Sequence, residues 1–167
     1  MDAEHNKEVT KVLKQIIVKL SKTNIMWLLS GSTNLFIQGI KITASDIDII
    51  STKEDLFRIE EIFKDYIVKK IEYNESEKYR SWFGRLNINS IQIDLMADLE
   101  YKPPNSDWIK SDSLNNKMKI LFDNYALYVN SLESELTFYS NMKRKKDDIK
   151  KELIMRLKNS TTKTVDD

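Results

Sequence analysis

The sequence predicts an α+β protein in which helices pack on a mixed β-sheet. Three observations predict it. Apolar residues recur at helical spacing near the N-terminus. Two short segments, "SDIDIIS" and "IQIDLM", alternate apolar and polar residues at strand spacing. Helical spacing then returns from Asn130 onward. Helices that each bury one stripe, interleaved with strands, are accommodated by layers of helix on sheet.

Val9, Val12, Leu13, Ile16, Ile17 and Leu20 fall on one face of a helix from about Glu4 to Leu20. "NIMWLL" (Asn24 to Leu29) reads as a buried strand that runs into a tight turn at Ser30-Gly31-Ser32. "TNLFIQG" reads as a short helix closed by Gly39. In "SDIDIIS", Asp46 and Asp48 share one strand face, and Ile47 and Ile49 share the other. Leu56, Ile59, Ile62, Phe63 and Tyr66 mark a helix from about Lys53, followed by a strand, "YIVKKIEY". "WFGRLNI-NS-IQIDLM" reads as a hairpin turning at Asn89-Ser90, with Gln92, Asp94 and Met96 opposite Ile91, Ile93 and Leu95. Two prolines break the pattern in "YKPPNSD", and "KILF-DN-YALYV" predicts a second hairpin. Asn130 with Glu133 has the spacing of a capping box. It opens one long C-terminal helix with Leu132, Leu136, Tyr139, Ile149, Leu153 and Leu157 on or near its buried side. The expected organisation is a single domain over 1–158 and a disordered tail over 159–167.

Composition removes several classes of function. There is no cysteine, so disulfides, thiolate zinc sites and cysteine nucleophiles are excluded. The single histidine, His5, lies in a polar N-terminal stretch, which argues against a histidine metal cluster or a Ser-His-Asp triad. The 27 basic and 26 acidic side chains nearly cancel, so bulk charge gives no argument for nucleic acid or membranes. The N-terminus lacks an apolar signal region and the longest apolar run is too short to span a bilayer. A cytoplasmic location and no membrane partner are the expectation.

The chemistry concentrates at Gly31-Ser32, Asp46, Asp48 and Asp94. A Gly-Ser turn between strand and helix presents backbone N–H groups where a phosphate can approach closely. Carboxylates at i and i+2 on one strand face can ligate a hard cation from the same side. Asp94 is a third acid inside an alternating apolar strand. Three acids aimed at one spot repel unless divalent cations neutralise them. Phosphate cradle and acid cluster together point to Mg²⁺-dependent chemistry on a nucleoside triphosphate.

"GS" at Gly31-Ser32, thirteen residues, "DID" at Asp46 to Asp48 and "QIDLM" around Asp94 resemble the DNA polymerase beta-like nucleotidyltransferase superfamily. Its small stand-alone prokaryotic members are the nearest in flavour, with a late "SLE" followed by an Arg-x-Lys-Asp pattern, here Ser131 to Glu133 and Arg144 to Asp147. The resemblance implies the nucleotidyltransferase fold. It implies that Gly31 and Ser32 hold the β- and γ-phosphates and that Asp46 and Asp48 ligate two Mg²⁺ ions. Asp94 would complete one metal site and activate the acceptor hydroxyl. A nucleoside monophosphate would pass to an unidentified acceptor, whether small molecule, protein or RNA. One departure stands out: toxin-paired members carry an arginine soon after the Gly-Ser, and here the first basic residue after Gly31-Ser32 is Lys41. The cations for the triphosphate are then expected among Lys143, Arg144 and Lys146, with Arg80 or Arg85 as further candidates. The short chain leaves little room for an acceptor domain, so a homodimer would complete the site. The alternative reading is a non-catalytic, antitoxin-like module that binds a nucleotide or a partner on the same fold.

Overall fold

The alternation seen in the sequence becomes a sheet with one apolar and one polar face. The computed structural model describes residues 1–163. Its strands are β1 (Trp27–Ser30), β2 (Ile47–Ser51), β3 (Ile67–Glu75), β4 (Tyr79–Ile88), β5 (Ile91–Tyr101), β6 (Ile109–Lys110), β7 (Lys117–Phe122) and β8 (Tyr125–Asn130). They form one sheet in the order β3-β4-β5-β2-β1-β8-β7, with β6 paired to β5. β1 runs antiparallel to β2, whereas β2–β5 and β1–β8 are parallel, so the sheet is mixed.

Five α-helices accompany it among the described residues: α1 (Ala3–Leu20), α2 (Gly31–Ile37), α3 (Lys53–Ile62), α4 (Leu132–Met142) and α5 (Asp148–Lys163). The predicted stripe of α1 is buried, from Val9 to Leu20. With Leu56 and Ile59 of α3 it packs on Ile47, Ile49, Ile93 and Leu95, the apolar sheet face. Each such side chain contributes about 1.5–3 kcal/mol on burial. A second cluster joins Leu35 and Ile40 to Tyr139 of α4 and Ile154 of α5.

Turn chemistry fixes the connections. Both predicted hairpins close through paired left-handed residues, Asn89-Ser90 (φ 50°, 66°) and Asp123-Asn124 (φ 47°, 67°), the backbone that matches strand twist. α2 ends in a Schellman motif: Ile40 N–H donates to Leu35 C=O and Gly39 N–H to Phe36 C=O, both at 3.0 Å. Gly39 takes the positive φ of 96° that this ending needs.

Three expectations change. The helical stretch after β8 is two helices, because Lys143 adopts a left-handed conformation (φ 52°) after Met142. The break shifts the phase of α5, so Ile154 is buried and Ile149 is 54% exposed. The cap of α4 is Ser131, whose hydroxyl accepts from Ser134 N–H at 3.1 Å, while Asn130 ends β8. The chain expected to be a tail from 159 is helical through Lys163, and 164–167 lie outside the described residues.

Candidate active site

Sheet register builds the site. Ser30 lies beside Asp48 across β1–β2, and Asp48 lies beside Asp94 across β2–β5. Residues in register on neighbouring strands project to the same face. Gly31 follows with φ +74°, and a Cβ there would stand 2.1 Å from Asp48 Oδ2. Only glycine lets the turn close over that carboxylate.

The turn is tied to the acids. Thr33 Oγ1 donates to Asp46 C=O at 2.5 Å. Ser32 Oγ accepts from Ser45 N–H at 2.9 Å and shares a hydrogen bond with Ser45 Oγ at 3.0 Å. Asn6 of α1 braces the approach, donating to Ile42 C=O and accepting from Ala44 N–H. Gly31, Ser32, Asp46 and Asp48 line one cleft of about 890 Å³, together with Arg144, Lys146 and Lys150.

Charge is crowded here. Burial raises the Asp48 carboxyl to about 7, helped by Asp94, Asp46 and Glu135 and opposed by Lys150. Burial, then Asp94, also raises Asp46. Asp94 differs. Its carboxylate is 15% exposed and is turned into a bidentate pair with Arg85, Nε–Oδ1 2.7 Å and Nη2–Oδ2 3.2 Å. Gln92 Nε2 donates to both Asp94 (3.3 Å) and Asp46 (3.4 Å). Among the described residues, no three acidic or histidine side chains are arranged as a ready cage for a metal ion. The three predicted acids are therefore neighbours, with Asp46 and Asp48 in the cleft and Asp94 held aside.

The expected cations divide likewise. Arg80 pairs with Glu100 at 2.6 Å and Arg85 with Asp94, so neither faces the cleft uncommitted. Arg144 donates to Asp147 at 2.6 Å and to the Tyr79 hydroxyl at 2.7 Å. Lys146 is exposed on the cleft rim.

Two functional candidates escaped the sequence reading. Lys150 stands over the Tyr139 ring, 5.0 Å from its centroid, and 3.4 Å from the fully buried Asp147. Glu135, 2% exposed, accepts from Gly31 N–H (2.8 Å), Ser30 Oγ (3.1 Å) and Asn34 Nδ2 (2.9 Å). Burial raises its carboxyl. The available signal was an acid on the buried stripe of a helix, in line with Tyr139 and Met142.

A mixed sheet with a glycine-serine turn closed over paired strand aspartates is the arrangement that the resemblance to nucleotidyltransferases implies. The chain belongs to the aminoglycoside-2''-adenylyltransferase family, which it matches over residues 12–154. It is similar to a Thermotoga maritima protein provisionally described as a nucleotidyltransferase, at 28% identity and TM-score 0.75 over 92% of this chain and 94% of that one. It shares its fold with ANT(2'')-Ia in complex with adenylyl-2''-tobramycin, at 12% identity and TM-score 0.61 over 93% and 92% of the two chains. The solution structure of the antibiotic-resistance factor ANT(2'')-Ia gives 11% identity and TM-score 0.60 over 90% and 82%. No curated protein sequence matches at a significant level. No described helix is long and apolar enough to cross a membrane.

Proposed function

We propose that this protein moves a nucleoside monophosphate from a nucleoside triphosphate to an acceptor hydroxyl, with Mg²⁺. The observation that carries the proposal is the convergence of Gly31, Asp46 and Asp48 on one cleft, with Asp94 in register beside them. The donor set fits a hard divalent cation. It is all oxygen, and the carboxyls of Asp46 and Asp48 are raised by burial first and by the neighbouring acids second, a charge conflict that a divalent ion would relieve. Asp46, Asp48 and Asp94 would hold the metal, which supplies charge neutralisation at the reacting phosphate. Gly31 and Ser32 would seat the phosphates against the closed turn, while Arg144, Lys146 and Lys150 would offset their charge. Glu135 would hold the turn in place. Asp94 would accept the acceptor's proton.

The cleft wall also carries Asp112, which forms no ion pair among the described residues, and Glu133, which pairs with Lys158 at 2.8 Å. Asp112 suits a cationic polyol as acceptor, the kind of molecule that ANT(2'')-Ia carries as adenylyl-2''-tobramycin. Calorimetry with ATP, GTP and CTP, with and without Mg²⁺, tests the reading, followed by pyrophosphate release on a panel of amino-sugar acceptors. Metal-dependent binding and turnover are expected. Asp48→Asn should weaken metal-dependent triphosphate binding by about 1.5–3 kcal/mol, the range for charged hydrogen-bonding groups. Unchanged binding in that variant would overturn the reading. The bidentate Arg85–Asp94 pair favours a second one, a nucleotide-binding module without chemistry. Mg²⁺-dependent binding with no pyrophosphate release on any acceptor would select it.

A further inference from the structure

We infer that Arg85 is a built-in competitor for the metal, a latch that holds Asp94 out of the cleft until a divalent cation displaces it. The inference rests on the nucleotidyl-transfer reading of the same acids.

Arg85 and Asp94 face each other in register across the antiparallel β4–β5 pair. The guanidinium fork meets both carboxylate oxygens, at 2.7 and 3.2 Å. A carboxylate engaged by a fork on both oxygens has little lone-pair capacity left for an ion. Asp94 is thus the third acid of the cluster and the one already neutralised. Asp46 and Asp48, next to it, have no such partner among the described residues, so the fork singles out Asp94.

The pair is asymmetric in the way a latch requires. Arg85 is 37% exposed and Asp94 15%. The side-chain hydrogen bonds of Arg85 among the described residues all go to Asp94. Its guanidinium lies near the Phe83 ring, 5.4 Å from the centroid, on the same strand face two residues away. It can therefore leave Asp94 for solvent without unmaking another hydrogen bond. Asp94 cannot leave, being flanked by Ile93 and Leu95, both fully buried. Gln92, reaching both Asp46 and Asp94, keeps the two carboxylates adjacent when the fork withdraws. A cation that takes Asp94 must therefore compete with Arg85, and Arg85 sets how much cation is needed.

Mn²⁺ binding, followed by electron paramagnetic resonance on the full chain, tests this without turnover. The variants are Arg85→Ala, Arg85→Lys, Asp48→Asn, Asp94→Asn and the Arg85→Ala/Asp94→Asn pair. Arg85→Ala should bind Mn²⁺ at least about fivefold more tightly than wild type, the lower end of ordinary coupling between two ligands. Arg85→Lys, which keeps the charge but lacks the fork, should fall between them, and it serves if the alanine variant folds poorly. The gain should shrink in the Asp94→Asn background. Equal or weaker Mn²⁺ binding in Arg85→Ala and Arg85→Lys overturns the latch. Failure of the transfer reading looks different: there Asp48→Asn binds Mn²⁺ as wild type does, or pyrophosphate release is absent while the Arg85→Ala gain persists. Absence of Mn²⁺ binding in wild type and Arg85→Ala alike overturns both.

Discussion

At Asp48, burial and three neighbouring acids push in one direction. Its carboxyl is raised from the ordinary 3.8 to about 7, so the folded protein holds a proton that the unfolded chain releases. The stability associated with that proton is fully present below the unfolded value and is lost as pH rises through the folded one. Between roughly pH 4 and pH 7 the metal-free protein should lose stability through this group, by about 1.4 kcal/mol for each tenfold difference in proton affinity between the folded and unfolded chains. Asp48→Asn removes the effect, because an amide does not titrate. Thermal melts of the two proteins without metal, from pH 5 to pH 8, should show the Asn variant gaining on wild type as pH rises, by about 2 kcal/mol or more at the upper end. A constant gap across that range would mark Asp48 as an ordinary carboxylate. Asp46, Asp48 and Asp94 were legible in the sequence because an acid inside an apolar strand has a period, and the period gives its face. The register of Arg85 was legible as well, because a two-residue turn at Asn89-Ser90 sets Ile88 opposite Ile91 and hence Arg85 opposite Asp94. The bidentate fork between them was not, because it depends on side-chain geometry that the apolar pattern does not carry.

Lys143 shows the same division at the level of the element. The apolar spacing after Asn130 suits one helix, and nothing in it reports a residue that leaves helical φ/ψ. The structure breaks there, with Lys143 at φ 52° and its N–H donating to Tyr139 C=O at 3.2 Å. A left-handed conformation costs an L-residue roughly 1–2 kcal/mol, and glycine is the usual solution at this position. The side chain is exposed, so its loss removes no packing. Lys143→Gly should therefore stabilise the protein by about 0.5–1 kcal/mol, after the entropy that glycine loses on folding. Urea denaturation reads this directly, and a destabilised variant would mean that the lysine side chain contributes something its position does not reveal. The break has a consequence for the site. It turns the chain so that Asp147 is buried and Arg144 and Lys150 flank it. Glu135 escaped the sequence reading for a related reason: its partners Ser30, Gly31 and Asn34 are about a hundred residues away in the chain.

Across the whole molecule, the turn that would seat the phosphates and the cations that would neutralise them come from distant parts of the chain. A triphosphate carries about four negative charges and the aspartates add three more, so two divalent cations leave a deficit. The Gly-Ser turn has no basic residue near it in the sequence, and Glu135 adds another acid beneath it. Relief has to come from α5 and the segment before it, and the structure separates the roles there. Arg144 is committed to the fully buried Asp147 and to Tyr79, so it is structural as well as electrostatic. Lys150 touches Asp147 only at 3.4 Å and is the cation that opposes the raised Asp48 carboxyl. Lys150→Ala should weaken triphosphate binding by about 1–3 kcal/mol, the scale of a charge-assisted contact. Arg144→Ala should weaken binding too, but it should also lower fold stability by about 1–3 kcal/mol, because it leaves a buried carboxylate with one partner fewer. Lys146→Ala, at an exposed position, should have the smallest effect on either quantity. Paired triphosphate titrations and thermal melts on the three variants measure both quantities. Equal binding losses at Lys146 and Lys150, with Arg144→Ala as stable as wild type, would show that the buried Asp147 does not organise the cations.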